Sequence, residues 1–239
     1  MDKPGLSIVL ACYNESSHLE TSLATLRDTL SYANFTYELV FVDDKSTDDT
    51  LSIIHRIIAQ HPGIRTKLIT HDENTGRGRA VTDGFKAAEA DVAGYIDVDL
   101  EIDAVYLYAF YRAILEGEDA AFGERVSRLS LHSVPRIFTG RSYNMLMRAF
   151  IDLPLHDTEA GIKFFNRKRL LDIIDSVEDR HWFWDTEICA RMYKAKYAIR
   201  EIPCIYARNR DKKSTVRLLR DSIYYFRKLL AFRNVYKSL

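Results

Sequence analysis

Short apolar runs rich in Val, Ile and Phe alternate along this chain with longer stretches in which apolar residues recur at helical spacing. The runs predict strands at 6–12, 38–43, 66–71, 92–97, 120–124, 161–166 and 199–204. Between them, helical periodicity predicts helices near 17–31, 48–60, 77–89, 103–116, 134–150, 167–176 and 185–195, with a long one from about 214 to 236. That alternation belongs to βα units around a mainly parallel sheet flanked by helices, an α/β class. In such sheets ligands bind beyond the carboxyl ends of the strands. Polar clusters follow the first four runs at that end.

The first cluster is Ala11-Cys12-Tyr13-Asn14-Glu15-Ser16, a polar loop where a dinucleotide-binding fold needs a glycine-rich turn. Tyr13 can border a base and Glu15 can accept hydrogen bonds from base or ribose; alternatively Asn14 or Ser16 caps the next helix. The second runs from Val42 to Thr50, where Asp48 and Asp49 suit a helix start. Asp43 and Asp44 fit either a ligand contact or a turn. The third, Asn74-Thr75-Gly76-Arg77-Gly78-Arg79, sets Gly76, Arg77 and Arg79 at a helix start, where backbone N–H groups and guanidinium forks favour phosphate oxygens. A simple turn is the alternative.

The fourth cluster is Asp97-Val98-Asp99-Leu100-Glu101. Three acids at alternate positions repel one another unless a cation sits among them. Magnesium or manganese, bound through carboxylates and diphosphate oxygens, is the economical cation, with Asp97, Asp99 and Glu101 as its candidate ligands. A solvated turn with Asp103 capping the next helix is the other reading.

Composition narrows the partners. The 239 residues carry 34 basic and 34 acidic side chains, which argues against a surface built for nucleic acid. No linker or repeat divides the chain, so one main domain is expected over 1–210, followed by a basic segment at 211–239. Cys12, Cys189 and Cys204 are odd in number and far apart, as suits reduced thiols in a cytoplasmic setting. The chain opens without an apolar leader and has no run of 18 apolar residues, so any membrane contact is expected to be peripheral.

With these motifs in hand, the chain resembles glycosyltransferase family 2, and within it the dolichyl- or polyprenyl-phosphate hexose synthases. The likeness rests on Tyr13-Asn14-Glu15, the V-D-D-x-S-x-D-x-T run from Val42 to Thr50, Asn74-x-Gly76-x-Gly78-x-Ala80 with Gly84, and the D-x-D-L of Asp97 to Leu100. It implies a GT-A type, Rossmann-like sheet in which the first two clusters hold the nucleoside and the acidic motif holds metal and diphosphate. Gly123-Glu124-Arg125, then Arg136 and Arg141, then Asp157-Thr158-Glu159-Ala160-Gly161-Ile162-Lys163 resemble the lipid-phosphate branch. By that resemblance Arg125, Arg136 and Arg141 grip an acceptor phosphate. His181-Trp182-Phe183-Trp184-Asp185-Thr186-Glu187 resembles the step before the family's last core helix. There Asp185 is placed to cap and Glu187 to face the sugar pocket. Lys45 stands where a glycine is common, and Glu101 where these synthases often carry Gln.

The resemblance implies an inverting transfer of a hexose-type sugar from a nucleoside-diphosphate sugar, with Asp99 acting through the metal. A lipid phosphate acceptor is already anionic and needs no general base. A sugar hydroxyl acceptor needs one, and Asp157 or Glu159 is then the candidate. A non-catalytic binding module on the same scaffold is the remaining alternative. Near the end, Leu219, Ile223, Phe226 and Leu230 recur at helical spacing beside Tyr225, Leu229 and Phe232, with Lys213, Arg217, Arg220 and Arg227 largely on another face. Such an amphipathic helix can lie on an anionic membrane at its cytoplasmic face, pack on the domain, or form a homodimer interface.

Overall fold

The computed structural model describes residues 3–126, 150–207 and 218–238, with side chains in the last stretch from 224 onward. Strands β1 (Leu6–Cys12), β2 (Tyr37–Asp43), β3 (Arg65–Thr70), β4 (Val92–Ile96), β5 (Ala120–Val126), β6 (Ile162–Asn166) and β7 (Ile199–Ile205) form one sheet in the order β3-β2-β1-β4-β6-β5-β7. The helices are α1 (Leu19–Leu30), α2 (Thr50–Gln60), α3 (Arg77–Ala87), α4 (Leu107–Leu115), α5 (Arg167–Leu171), α6 (Trp184–Lys194) and α7 (Leu218–Ser238). The expected α/β class is therefore observed. The helix expected at 134–150, with Arg136 and Arg141, lies outside the described residues but for its last position.

Alternation along the strands makes two cores. On β1, Leu6, Ile8, Leu10 and Cys12 meet Leu23, Leu26, Ile54 and Phe110 of α1, α2 and α4. Val9, Val40 and Val42 on the opposite face meet Val81, Phe85, Trp184 and Ile188 of α3 and α6. Gly84 lets α3 approach closely, since a Cβ there would stand 2.3 Å from a Val9 methyl. All three cysteines are free and buried, and burial pushes each thiol up, Cys204 to about 12.

β6 is the exception to the parallel arrangement. It runs antiparallel to both β4 and β5, placing Gly94 opposite Phe164 and Tyr95 opposite Lys163. The register continues past the strand, where the Asp97 N–H donates to the Gly161 carbonyl at 2.8 Å. That is how the sixth strand reaches the acidic turn.

α7 lies against α6 through Leu229, Phe232 and Tyr236, all buried, while Phe226 and Leu230 stay 44% and 40% exposed. The Phe232 and Phe183 rings meet edge-on at 5.7 Å. Tyr224 Oη and Lys228 Nζ both reach Asp179 Oδ2, at 2.7 and 2.8 Å, and Tyr225 Oη donates to the Trp182 carbonyl. The helix is thereby tied to the 179–183 segment. Among the described residues no helix is long and apolar enough to cross a membrane.

The β4–β6 contact gives a test of the sheet. An ideal Cβ on Gly94 would sit 2.3 Å from the Phe164 ring, so Gly94→Val is expected to destabilise the fold by about 1–3 kcal/mol through overpacking. Urea unfolding monitored by circular dichroism measures it.

Candidate functional site

β1, β2, β3 and β4 are parallel neighbours, so their carboxyl ends open on one edge, and the loops beyond them interlock there. Asn14, at φ 57°, donates its N–H to Ser46 Oγ at 3.0 Å and accepts from the Thr47 N–H at 2.7 Å. The Ser16 N–H donates to Asp48 Oδ2 at 3.1 Å, and this hydrogen bond and those from Thr50 hold the Asp48 carboxyl down to about 2 although partial burial opposes it. Neither Asn14 nor Ser16 caps α1, whose first turn is preceded by His18 without a side-chain cap. Their bonds stitch the first loop to the second. Lys45 sits at φ 63°, the left-handed region that favours glycine.

The two adjacent aspartates part company. Asp44 accepts from His71 Nδ1 at 2.7 Å, from the Thr75 N–H and hydroxyl at 2.8 Å, and from the Gly76 N–H at 2.8 Å. These bonds, outweighing burial, hold its carboxyl below the ordinary value. Its contacts are those of a turn brace between β2 and the loop after β3. Asp43 is buried to 2% exposure, and its Oδ2 accepts from the Ser46 N–H. Its Oδ1 has no hydrogen-bond partner among the described residues. A buried carboxylate oxygen left this way costs free energy unless a donor arrives. Tyr13, 46% exposed, follows Cys12, which is registered opposite Asp43 across β1 and β2, and Glu15 pairs with His18 Nε2 at 2.6 Å.

Gly76 is at φ 99°, and a Cβ there would run into the Arg180 carbonyl and the His181 ring; one on Gly78 would meet Trp184. These close approaches seat the start of α3 against the 180–184 segment. From there Arg77 reaches the acidic turn, with Nη2 2.6 Å and Nε 3.2 Å from Asp97 Oδ1, while Nη1 donates to Asp185 Oδ2. Asp185 also accepts from Tyr95 Oη and from Lys163 Nζ at 2.7 Å. Lys163 is fully buried and donates further to the Ala160 carbonyl at 2.8 Å. Burial alone would raise the Asp185 carboxyl, but Arg77 and Lys163 hold it below its ordinary value. Arg79, by contrast, lies exposed and pairs with Asp83 at 2.6 Å on its own helix.

The acidic turn itself is tight. Leu100 adopts φ 49°, the Leu100 N–H bonds back to the Asp97 carbonyl at 3.1 Å, and Asp103 accepts from the Val105 N–H as the expected cap. A Cβ on Gly161 would stand 2.1 Å from Asp97 Oδ2, so only glycine leaves that carboxylate its place. Asp97, Asp99, Glu101 and Glu159 line one cavity of about 60 Å³ with Arg125, Gly161 and Tyr206. Tyr206 Oη donates to Glu101 Oε2. The enclosing protein raises the Asp97 carboxyl from its ordinary value, Arg77 opposes, and Asp99 adds repulsion. Among the described residues no three His, Cys, Asp or Glu side chains already converge as a metal cage.

Arg125 forms a fork with Asp157, Nε to Oδ2 at 2.6 Å and Nη2 to Oδ1 at 2.9 Å. Against the effect of burial, that fork holds the Asp157 carboxyl below its ordinary value, which makes it a poor proton acceptor. Glu159 behaves oppositely, its carboxyl raised by burial, against the pull of Arg125 and with repulsion from Asp157 and Asp185. Glu187 does not face the cavity. It accepts from the Glu178 and Asp179 N–H groups and from Arg191. Asp185 is likewise a buried hub and not a helix cap. Lys163, named in the sequence only as the end of the 157–163 segment, and Tyr95 carry that hub, and a lone lysine inside the run Ile162 to Phe165 is the signal that points to it.

The model for glycosyl transferase family 2 matches residues 7–174. The chain belongs to that family. Among its family relatives, the glycosyltransferase AglD of Haloferax volcanii is 34% identical over 221 residues, covering 90% of this chain and 35% of that protein. The dolichyl-phosphate beta-glucosyltransferase of Saccharomyces cerevisiae is 28% identical, covering 97% of this chain and 75% of its own length. The chain thus spans about a third of the first relative and three-quarters of the second. Among solved structures, glucosyl-3-phosphoglycerate synthase of Mycobacterium tuberculosis, in complex with Mn2+, UDP and glucosyl-3-phosphoglycerate, superposes with a TM-score of 0.67 at 17% identity. That match covers 95% of this chain and 78% of the other, and shows a shared GT-A fold.

The hub makes a direct prediction. Lys163→Met removes a fully buried cation and leaves Asp185 with Arg77 as its only cationic partner among the described residues. A loss of about 3 kcal/mol is expected, as for breaking buried ion pairs, measured by chemical denaturation.

Proposed function

We propose that the chain transfers a hexose-type sugar, with inversion, from a nucleoside-diphosphate sugar to a polyprenyl or dolichyl phosphate. The observation that carries the donor half is Asp43 Oδ1, a buried acceptor without a partner among the described residues, at a strand end whose neighbour β1 leads into the loop of Tyr13 and Glu15. A base N–H supplies the missing donor. Arg77, at the start of α3, would meet diphosphate oxygens together with the backbone around Gly76. Arg79 points away and contributes at most long-range charge. Asp44 acts by bracing the loop that presents Gly76 and Arg77.

A hard divalent ion, Mg2+ or Mn2+, fits the cavity because four carboxylates line it against one guanidinium. Asp97 and Asp99 would hold it with Glu101 at the rim, and the diphosphate would complete its oxygen ligands. When bound it neutralises charge developing on the leaving diphosphate. Arg77 adds to that stabilisation from the opposite side of Asp97. The solved relative carrying Mn2+ and UDP supports this reading of the donor half.

For the acceptor half, the name of the yeast relative supports a lipid phosphate, and so does the state of Asp157. Its fork with Arg125 takes it out of the base role, and a phosphate acceptor needs no base. Arg125, with Arg136 and Arg141 beyond the described residues, would contact the acceptor phosphate. Glu159 is the carboxylate left for a hydroxyl acceptor. Incubation with UDP- and GDP-sugars, Mn2+ or Mg2+ and a short polyprenyl phosphate is expected to yield a lipid-linked sugar, with none formed in EDTA. Glu159→Gln is expected to change that rate by less than about tenfold, because general-base removal costs about 10²–10⁴. A loss in the latter range, with donor affinity retained, would favour a hydroxyl acceptor.

The exposed Phe226 and Leu230 on α7, with Arg227 and Lys237 also exposed, support docking to an anionic bilayer that carries such an acceptor. In flotation with phosphatidylserine vesicles, Phe226→Ser with Leu230→Ser is expected to lower the bound fraction. Equal flotation of the two proteins would remove this helix as the anchor.

A further inference from the structure

We propose that Arg77 is the resident cation of the acidic turn: in the donor-free chain it occupies Asp97 and disfavours a divalent ion until a nucleoside diphosphate draws the guanidinium away. This rests on the donor and metal reading above and adds an order to it. Asp97 Oδ1 takes both the Nε and Nη2 contacts of Arg77, so a carboxylate that would ligate a metal is already paired with a positive charge. Asp97 is also the open end of the pair, with its side chain 42% exposed against 6% for Asp185.

The charges decide the sequence of events. Arg77 and Lys163 balance Asp97 and Asp185, so of the acids that line the cavity Asp97 is already compensated, and Asp99, Glu101 and Glu159 lie outside that balance. Adding a divalent ion beside Arg77 sets two cations against each other within one partly enclosed site, where charge interactions exceed those in water. Asp185 does not need Arg77 for neutrality, because Lys163 is held on it permanently by burial. The Arg77 guanidinium carbon lies 5.0 and 5.7 Å from the Tyr95 and Trp182 rings, and Nη1 donates to Asp185. Exchanging Asp97 for a diphosphate gives up the Nε and Nη2 contacts to Asp97 Oδ1. The diphosphate then brings negative charge to the ion and to Arg77 together. Metal and nucleotide must therefore each raise the affinity for the other, by the same factor.

Mn2+ binding to the whole chain, read from the paramagnetic resonance signal of free Mn2+, tests this without any turnover. Wild type is expected to bind Mn2+ weakly alone and about tenfold or more tightly with UDP or GDP, the scale of ordinary site coupling. Arg77→Gln is expected to bind Mn2+ alone about tenfold more tightly than wild type, with the nucleotide gain falling to about threefold or less. Arg77→Lys keeps a charge but loses the two-point hold, and about a threefold tightening is expected. Should Arg77→Gln fail to fold, the lysine variant decides, and an unchanged affinity overturns the proposal. If Arg77→Gln binds no more tightly than wild type while wild type still gains with nucleotide, the resident-cation role is wrong and the donor site stands. If wild type binds no Mn2+ even with both nucleotides, the metal reading fails and takes this proposal with it.

Discussion

A fully buried lysine must have a partner, and in this fold the constraint set by Lys163 organises much else. Its ammonium sits between Asp185, Tyr95 and the Ala160 carbonyl, and a charge at that depth is tolerated only when paired and hydrogen-bonded. The pairing requires β6 to lie antiparallel beside β4 in one register. It requires α6 to start where Asp185 faces the sheet. It also leaves Asp185 with a second oxygen that aims Arg77 at the acidic turn.

The cleft is assembled around that aim more by exclusion than by contact. Gly76, Gly78 and Gly161 each stand where a methyl group would collide with His181, Trp184 or Asp97. Side chains of the first three loops then cross-brace one another, Asn14 to Thr47 and Asp44 to Thr75 and Gly76. Most polar groups there satisfy each other. Asp43 Oδ1 has no hydrogen-bond partner among the described residues, and Asp97, Asp99, Glu101 and Glu159 line the small cavity.

The last helix belongs to the same construction. Through Tyr224 and Lys228 it holds Asp179, whose other oxygen accepts from the His181 N–H, and the Arg180 carbonyl next door accepts from the Arg79 N–H. The helix that carries the exposed Phe226 and Leu230 is thereby tied to a segment that borders the glycines that seat Arg77.

Sequence by itself determined the seven strands, the α/β class and the placement of four polar clusters at one sheet edge, because side-chain periodicity and strand direction are local properties. It also carried the family motifs, down to Lys45 in a position that favours glycine. It left open which acid of each pair would face a ligand. Asp43 and Asp44 are adjacent and chemically alike, and only the arrival of His71, Thr75 and Gly76 around Asp44 separates a brace from an open acceptor. Asp157 and Glu159 are separated in the same way by Arg125, and Asp185 becomes a hub only when β6 delivers Lys163. Those distinctions depend on partners distant in sequence, since the state of a carboxylate is set by the charges and donors packed around it.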